Sequence, residues 1–178
     1  MPTLYIVATP IGNLEDITLR ALRVLGEVGL IAAEDTRVTR RLLARHDIHT
    51  PMTSYHEHNK QTKIPQLLAR LLDADIALVS DAGTPGINDP GQELVSAAAS
   101  EGFDVIGIPG ASALTTAIAL SGIAIDGFIY LGFLPRKSGE RKRLLESLNS
   151  ERRALVAFET PHRVRSALGD LLAVLGDR

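Results

Sequence analysis

Three short polar segments at the ends of apolar runs carry carboxylates, and two of them also carry imidazoles. The segments are AAEDTR (32–37), SYHEHN (54–59) and FETPHR (158–163). Short apolar runs of this kind predict strands, so each segment would present its acid at the end of a strand. Carboxylates and imidazoles are common proton acceptors in active sites. The sequence therefore predicts a general base among these residues, with Asp35 and Glu57 as the leading candidates.

The same segments allow other interpretations. Asp35 precedes Thr36, and an acid at that place could serve only to cap the N-terminus of a helix. His56 and His58 resemble a partial zinc site, but no other obvious ligand lies beside them, so we expect no metal. The identity of the base stays open, and the further candidates are Glu159, His56, His58 and His162.

The densest run of turn-forming residues is LVSDAGTPGINDPG, residues 78–91. Its glycines lack a Cβ, so the main chain there can approach a ligand closely. Pro85 and Pro90 restrict the free loop and reduce the entropy that is lost on binding. Turns in α/β proteins are commonly rich in Gly and Pro, but similar clusters follow all the predicted strands. Together they favour a ligand site at the ends of the strands.

Length and composition are those of a globular protein. The 178 residues are 45% hydrophobic and 22% charged, with a mean hydropathy of +0.11. No apolar run approaches the ~20 residues that cross a bilayer, and we expect no signal peptide. The absence of cysteine excludes disulfides, thiolate metal sites and cysteine nucleophiles. We expect a cytoplasmic protein whose net charge of −2 leaves anionic partners to local basic patches.

Strand and helix patterns alternate along the chain without hairpin signals, which predicts an α/β fold with a mainly parallel sheet. Strands are predicted at Leu4–Ala8, Leu30–Ala33, Met52–Tyr55, Ile76–Ser80, Val105–Ile108, Phe128–Phe133 and Leu155–Phe158. Helical spacing of apolar residues runs through 17–28, 64–72 and 94–99, and further helical segments are 141–149 and 162–176.

The segment LSGIAIDG, residues 120–127, combines several turn-prone residues and predicts a linker between two domains. An N-terminal α/β domain would then occupy residues 1–119. Only two strands and two helices are predicted in 128–178, which is few for a sheet with covered faces. We therefore expect the second domain to be partly present, or to complete itself in an oligomer.

Motifs for phosphate-bearing cofactors are absent from the sequence. No G-x-x-x-x-G-K-[ST] occurs, and no G-x-G-x-x-G follows the first predicted strand. A cofactor without phosphates fits the strand-end segments better. S-adenosylmethionine is such a cofactor, with an adenosine that prefers apolar walls and an amino-acid end that prefers polar main-chain partners.

Seven motifs carry a family resemblance, in order and over nearly the whole chain: TPIGNLEDIT, AEDTRVTRRLL, SYHEHN, LVSDAGTPGINDPG, IPGASALTTAIALSG, GFLPRKSGERKRLLESL and FETPHRV. Together they resemble the small-subunit ribosomal RNA methyltransferase I family. That family is a subgroup of the tetrapyrrole-methylase-like (class III) S-adenosylmethionine methyltransferases and methylates a cytidine 2′-hydroxyl in 16S rRNA. Its members are longer than this chain.

The resemblance implies two α/β domains with S-adenosylmethionine between them, and a homodimer. It also implies that Asp81 accepts a hydrogen bond from the cofactor, although Asp81 could instead cap a turn. Ser112 could likewise cap a helix, and Phe133 could be a core residue. The residues that the resemblance assigns to the cofactor are Pro10, Asp81, Ala82, Gly83, Ile87, Ser112, Ala113, Gly132, Phe133 and Leu134.

A ribosomal RNA substrate, here 16S rRNA within the 30S subunit, requires cations. The proposed RNA-binding residues are Arg37, Arg40, Arg41, Arg136, Lys137 and Arg163, with Arg45, Arg141, Lys142, Arg143 and Arg165 in the same clusters. Each cluster could instead be a solvated helix face. Aromatic residues make up only 4% of the chain, so recognition of structured RNA by shape and phosphate position is favoured over base stacking.

Two other functions compete with rRNA methylation. A methylase of the same fold could act on a tetrapyrrole or another small substrate, although the arginine clusters and SYHEHN argue against it. A non-catalytic RNA-binding module could also retain this fold. Binding of S-adenosylmethionine separates the module from the two enzymes, and the identity of the methylated product separates the enzymes from each other.

Overall fold

The computed structural model describes residues 2–177, and the chain divides into two compact units. The first unit comprises residues 1–116 and the second residues 117–178. The predicted linker at 120–127 and the predicted domain bounds stay predictions. Within the described part of the chain, no helix has the length and apolar character needed to span a membrane.

The first unit contains a five-stranded sheet whose strands are all parallel, in the order β3-β2-β4-β1-β5. The strands are β1 Thr3–Val7, β2 Leu30–Ala33, β3 Met52–Ser54, β4 Ile76–Val79 and β5 Asp104–Ile108. The helices are α1 Leu19–Glu27, α2 Thr36–Arg45, α3 Lys60–Leu71, α4 Gln92–Ser100 and α5 Ala113–Leu120, with a 3₁₀ turn at Leu14–Asp16. Helix α5 crosses the boundary between the units.

The central strand β4 is buried on both of its faces because helices cover the sheet from both sides. Ala77 belongs to a core cluster that includes Leu25 of α1. Leu78, the next residue, belongs to a second cluster that includes Leu67 of α3. Successive side chains of a strand point to opposite faces, which is why this strand reads as an uninterrupted apolar run.

The second unit contains two parallel strands and two helices. Strands β6 Phe128–Phe133 and β7 Ala154–Phe158 pair directly, with an irregular register between Tyr130 and Phe133. Helix α6 spans Ser138–Ser147 and α7 spans Val164–Leu175. The predicted α/β class with parallel sheets is confirmed, and all seven predicted strands are present, with ends displaced by at most one residue.

A buried ion pair joins the two helices of the second unit. Arg141 of α6 is only 1% exposed, and its Nε lies 2.8 Å from Oδ2 of Asp170 on α7. The same guanidinium donates to Ser166 Oγ at 3.0 Å and to the carbonyl of Pro135 at 2.9 Å. Ser138 Oγ donates to both oxygens of Asp170. The pair therefore fixes α6, α7 and the corner that precedes α6.

The prediction that Arg141 belongs to a phosphate-binding cluster is wrong, because its donors are used inside the protein. Burial alone would raise the pKa of Asp170. The hydrogen bonds from Ser138 and Arg141 and the positive charges of Arg141 and Lys142 outweigh burial and hold this pKa below its usual value.

Replacing Arg141 by Met should destabilise the protein by about 3 kcal/mol or more, because the partner carboxylate stays buried without its cation. Urea unfolding followed by circular dichroism measures this loss. Arg143→Met is the matched control, since Arg143 is exposed on the same helix, and its effect should stay within about 0.5 kcal/mol. Equal stability of the two variants would contradict the structural role of the pair.

Candidate functional site

The loop from Ser80 to Gly91 follows β4 and is bonded to the end of β1. Thr9 donates its backbone N–H to the carbonyl of Gly83 at 2.9 Å, and Gly83 donates back to Thr9 at 3.1 Å. The Thr9 hydroxyl also donates to the carbonyl of Ser80 at 3.0 Å. The loop that stands out in the sequence is thus anchored at its start to a neighbouring strand end.

A second set of hydrogen bonds ties the same loop to the end of β2. The backbone N–H of Asp35 donates to Oδ1 of Asp81 at 3.0 Å, and the N–H of Asp81 donates to Oε2 of Glu34 at 3.3 Å. Burial raises the pKa of Glu34 and of Asp81, and the negative charge of Asp35 adds to both shifts. Asp81 therefore links two loops, whether or not it also contacts a cofactor.

The backbone of the loop requires glycine at Gly91, where φ is +155°. A Cβ added there would lie 3.0 Å from a methyl group of Leu78 and 3.2 Å from the backbone nitrogen of Gly86. A side chain at Gly91 is thus excluded by contacts within the protein, with Leu78 and Gly86. The loop glycines are predicted from sequence to allow close approach of a ligand, and Gly91 shows that internal packing is a second reason for them.

The two ends of this loop line different cavities. An open cavity of about 660 Å³ lies at the later end of the loop, and a pocket of about 40 Å³ lies at its start. The small pocket brings Pro10 and Asp81 together, both predicted cofactor residues. The large cavity is lined by Glu34, His56, Glu57, His58, Gly86, Asn88, Asp89, Pro90, Gln92 and Glu93.

Asp35, a predicted general base, caps helix α2. Its Oδ1 accepts from the backbone N–H of Arg37 at 2.8 Å, and its Oδ2 lies 2.6 Å from Nη2 of Arg37. The side-chain hydrogen bond from Arg37, followed by its backbone hydrogen bond, lowers the pKa of Asp35 to about 2. A carboxylate held in this way is a weak proton acceptor.

Glu57, the other predicted base, lines the large cavity but is exposed and paired. Its Oε1 lies 2.8 Å from Nζ of Lys60, and Lys60 also pairs with Glu93 of α4. Hydrogen bonds from Glu57 and then Glu93 raise the pKa of Lys60, so this ammonium group stays charged. The pair of acids thus shares one cation at the edge of the cavity.

Asp89 is a carboxylate of the same cavity that was not among the bases predicted from sequence. Burial, followed by the charge of Glu34, raises its pKa to about 6 against the opposing effect of the Ser80 hydroxyl, with a smaller increase from Asp81. Within residues 2–177, no Lys, Arg or His forms an ion pair with it. In the sequence, Asn-Asp-Pro predicts a turn. The only sign of a functional role for Asp89 was its place in the glycine-rich loop.

The two histidines of SYHEHN also lie at the large cavity. Their rings meet edge to face with centroids 6.0 Å apart, and Nδ1 of His56 is buried without a hydrogen-bond partner among the described residues. Over the described range 2–177, no three His, Asp or Glu side chains are arranged to hold a metal ion.

The remaining predicted cofactor residues of the first unit lie at separate points. Ile87 is half exposed in the loop after β4. Ala113 begins α5 and Ser112 directly precedes it, with Ser112 Oγ accepting a long 3.5 Å hydrogen bond from the backbone N–H of Thr115. The helix-capping alternative for Ser112 therefore has a contact in the structure, and its cofactor role stays a prediction.

In the second unit, the predicted cofactor residues form the end of β6. Phe133 is half exposed and packs edge-on against Phe158 with ring centroids 5.7 Å apart. Leu134 is 4% exposed, and its backbone N–H donates to the carbonyl of Phe158 at 3.2 Å. Gly132 precedes them with φ +65°. Phe133 thus offers an accessible ring, whereas the Leu134 side chain is part of the core.

The predicted RNA-binding cations differ in their environment. Arg40 and Arg41 are exposed on α2, as are Arg136 and Lys137 before α6. Arg37 is exposed but pairs with the cap of its own helix.

Arg163 lies 2.6 Å from Oε1 of Glu159 in a pair whose acid is only 9% exposed. The backbone N–H of Thr160 also donates to that oxygen, at 2.7 Å. Glu159, a further candidate for the base, is therefore held by Arg163 rather than free.

Residues 3–178 match the family model of Tetrapyrrole (Corrin/Porphyrin) Methylases. The parallel sheet and the linked loops at the carboxyl ends of β1, β2 and β4 agree with this class of protein. The chain belongs to the tetrapyrrole methylase family.

Curated relatives of this chain include several proteins named ribosomal RNA small subunit methyltransferase I. The Halalkalibacterium halodurans protein is 52% identical over 99% of this chain and 61% of its own length. The Thermotoga maritima protein is 51% identical over 100% of this chain and 80% of its own, and the Escherichia coli O157:H7 protein is 50% identical over 98% and 61%. The predicted resemblance to that group is confirmed. The chain spans about three fifths of the length of most of these relatives.

Solved structures share the fold at low sequence identity. Uroporphyrin-III-C-methyltransferase from Thermus thermophilus superposes with a TM-score of 0.67 at 19% identity, covering 97% of this chain and 74% of that one. A conserved hypothetical protein from Aeropyrum pernix K1 gives a TM-score of 0.70 at 18% identity over 97% and 65%.

The tetrapyrrole methylases use S-adenosylmethionine as methyl donor, and the residues of the first unit fit that compound. Its sulfonium is cationic, and Glu34 and Asp81 are neighbouring acids whose pKa is raised by burial and further by the negative charge of Asp35. A nearby cation would favour the ionised form of these acids.

Asp89→Asn should raise the thermal unfolding temperature at about pH 7.5 and lose that advantage below about pH 4. The folded-state pKa of Asp89 is raised from 3.8 to about 6, so the unfolded chain releases this proton first. Ionisation of Asp89 therefore destabilises the fold as pH rises through this window. Differential scanning calorimetry at several pH values measures the effect, and a variant less stable than wild type at neutral pH would contradict it.

Proposed function

We propose that the protein transfers a methyl group from S-adenosylmethionine to the 2′-hydroxyl of a cytidine in 16S rRNA of the small ribosomal subunit. The observation that carries this proposal is the identity of about 50% to ribosomal RNA small subunit methyltransferase I proteins over nearly the whole chain. The linked loops at the carboxyl edge of the sheet support it, since ligands of parallel sheets bind at that edge.

The residues proposed to hold S-adenosylmethionine come from both units. In the first unit they are Pro10, Asp81, Ala82, Gly83, Ile87, Ser112 and Ala113, and in the second they are Gly132, Phe133 and Leu134. The bound compound supplies a methyl group on a positively charged sulfur. The anchored start of the loop after β4 would fix the position of Asp81 and Gly83 before binding, which reduces the entropy lost on binding.

Methyl transfer to a hydroxyl is an in-line displacement, so alignment of the acceptor accounts for much of the rate enhancement. The acceptor ribose would enter the cavity lined by Glu34, His56 and Glu57, which is large enough for a nucleoside. A carboxylate at this cavity would take the proton of the hydroxyl group. Glu57 lines this cavity, whereas Asp35, the other base predicted from sequence, lies outside it, and both stay proposals for that role.

Phosphates of the RNA would contact the exposed cations of two helices. Arg40 and Arg41 project from α2, and Arg136 and Lys137 precede α6. Arg37 and Arg163, which are paired with acids, would have to share their charge with the phosphates. We further propose that the protein acts as a homodimer.

Incubation of the full chain with methyl-labelled S-adenosylmethionine and 30S subunits should label 16S rRNA. Nuclease digestion and mass spectrometry should identify the product as 2′-O-methylcytidine. Free 16S rRNA and a uroporphyrinogen are parallel substrates. Label in the uroporphyrinogen alone would establish the small-substrate methylase instead, and binding of the donor without transfer to any acceptor would contradict the enzymatic proposal.

The double variant Arg40→Ala, Arg41→Ala should bind 16S rRNA more weakly, and other RNA sequences to the same extent, because phosphate contacts do not read sequence. The slope of log affinity against log salt should fall by about 0.7–0.9 for each phosphate that the variant no longer binds. Filter binding over a series of salt concentrations measures both quantities.

Arg23→Ala is the control, because Arg23 is an exposed arginine of α1 paired with Glu27. An unchanged salt slope in the double variant would remove α2 from the RNA-binding surface.

A further inference from the structure

We propose that Asp89 is the catalytic base that takes the proton from the acceptor hydroxyl. This inference rests on the proposed function, which it deepens by assigning a residue that was not among the bases predicted from sequence. It stands on the position of Asp89 in the large cavity and on the hydrogen bonds and ion pairs that occupy the other acids around it.

Asp89 lies in the same loop as the proposed donor-binding turn. The loop starts at Asp81 and Gly83, which belong to the proposed S-adenosylmethionine site, and ends at Asp89 and Pro90, which line the cavity of about 660 Å³. One loop thus carries both a donor-binding segment and a carboxylate on the acceptor cavity. Because Thr9 anchors the start of this loop, the two functions are fixed relative to each other by a short stretch of chain.

The neighbouring acids are each engaged in holding the protein together. Glu34 accepts from the backbone of Asp81, and Asp81 accepts from the backbone of Asp35. Glu57 and Glu93 share the ammonium group of Lys60.

Asp35 is bound by Arg37 and does not line the cavity. Among the acids of this group, Asp89 is the one for which the described residues provide neither a cation nor a backbone N–H.

The proton affinity of Asp89 suits a base that works near neutral pH. Burial and the charge of Glu34 raise its pKa to about 6, whereas the pKa of Asp35 is lowered to about 2. A base is most effective when its pKa lies near the working pH. The charged and titratable groups around the cavity are Glu34 after β2, His56, Glu57 and His58 after β3, Asp81 after β4, Glu93 on α4, and Lys60 on α3.

The step is balanced without any further reactant. The hydroxyl proton moves to a carboxylate oxygen of Asp89 while the hydroxyl oxygen uses a lone pair to form the bond to the methyl carbon. The carbon–sulfur bond breaks, and its electron pair stays on sulfur, which becomes neutral. The reaction thus removes the positive charge of the sulfonium and neutralises the carboxylate of Asp89.

Single-turnover methyl transfer to 30S subunits, measured from about pH 5 to about pH 9, tests the assignment. With the wild-type full chain, the rate should rise about tenfold per pH unit and level off above an apparent pKa near 6. Asp89→Asn should lower the plateau rate by about 10²- to 10⁴-fold and abolish the rise. Asp89→Glu should recover part of the rate and keep a pH-dependent rise.

Three controls make the result specific. Calorimetric titration with S-adenosylmethionine should give Asp89→Asn a dissociation constant within about threefold of wild type, which shows that the donor site is intact. Asp104→Asn removes an exposed acid at the start of β5 and should leave the rate unchanged. Asp35→Asn and Glu57→Gln should retain the pH-dependent rise.

Two results would overturn the inference. An Asp89→Asn protein that keeps the wild-type rate and its pH dependence would exclude Asp89 as the base. Loss of the pH-dependent rise in Glu57→Gln or Asp35→Asn, but not in Asp89→Asn, would transfer the role to that residue. Absence of transfer to 30S subunits by the wild-type chain would instead remove the proposed function itself, so the two failures are distinguishable.

Discussion

The loop after β4 is held by hydrogen bonds from two neighbouring strand ends, and the arrangement of the candidate site depends on them. Thr9 and Gly83 bond to each other through their backbones, and Asp81 exchanges hydrogen bonds with the segment Glu34–Asp35. Such contacts are possible because parallel strands end at the same edge of the sheet. Residues separated by more than 40 positions in sequence are thereby fixed within hydrogen-bond distance.

This anchoring concentrates negative charge where few cations are available. Glu34, Asp81 and Asp89 are partly buried, so each has a raised pKa, and the charge of Glu34 adds to the shift of Asp89. The cations in the same region pair with other acids, since Arg37 pairs with Asp35, the cap of α2, and Lys60 pairs with Glu57 and Glu93. A carboxylate whose pKa is raised in this way can act as a proton acceptor near neutral pH.

The second unit is stabilised in part by a buried ion pair. Two strands and two helices provide a small apolar core, and the Arg141–Asp170 pair supplies directional contacts that fix both helices and the corner before α6. Arg136 and Lys137, which remain exposed at that corner, are positioned by the same contacts. The buried Arg141 therefore helps to fix the position of the exposed Arg136 and Lys137.

The sequence by itself determined the element order and the parallel α/β class, because apolar periodicity and turn residues are local signals. The family followed from the resemblance of seven motifs in order along the chain. It also located the loops of the candidate site. Only the tertiary structure decided which charges are free. Arg141 and Arg136 look alike in sequence, and Asp35 and Asp89 both lie in loops after strands, yet one arginine is buried and one acid is bound by a neighbouring guanidinium. The Asp35–Arg37 pair spans only two positions, and the sequence already allowed Asp35 as a helix cap. The burial of Arg141, in contrast, depends on Asp170, 29 positions away, and the raised pKa of Asp89 depends on burial and on Glu34 in another loop, so no local pattern encodes them.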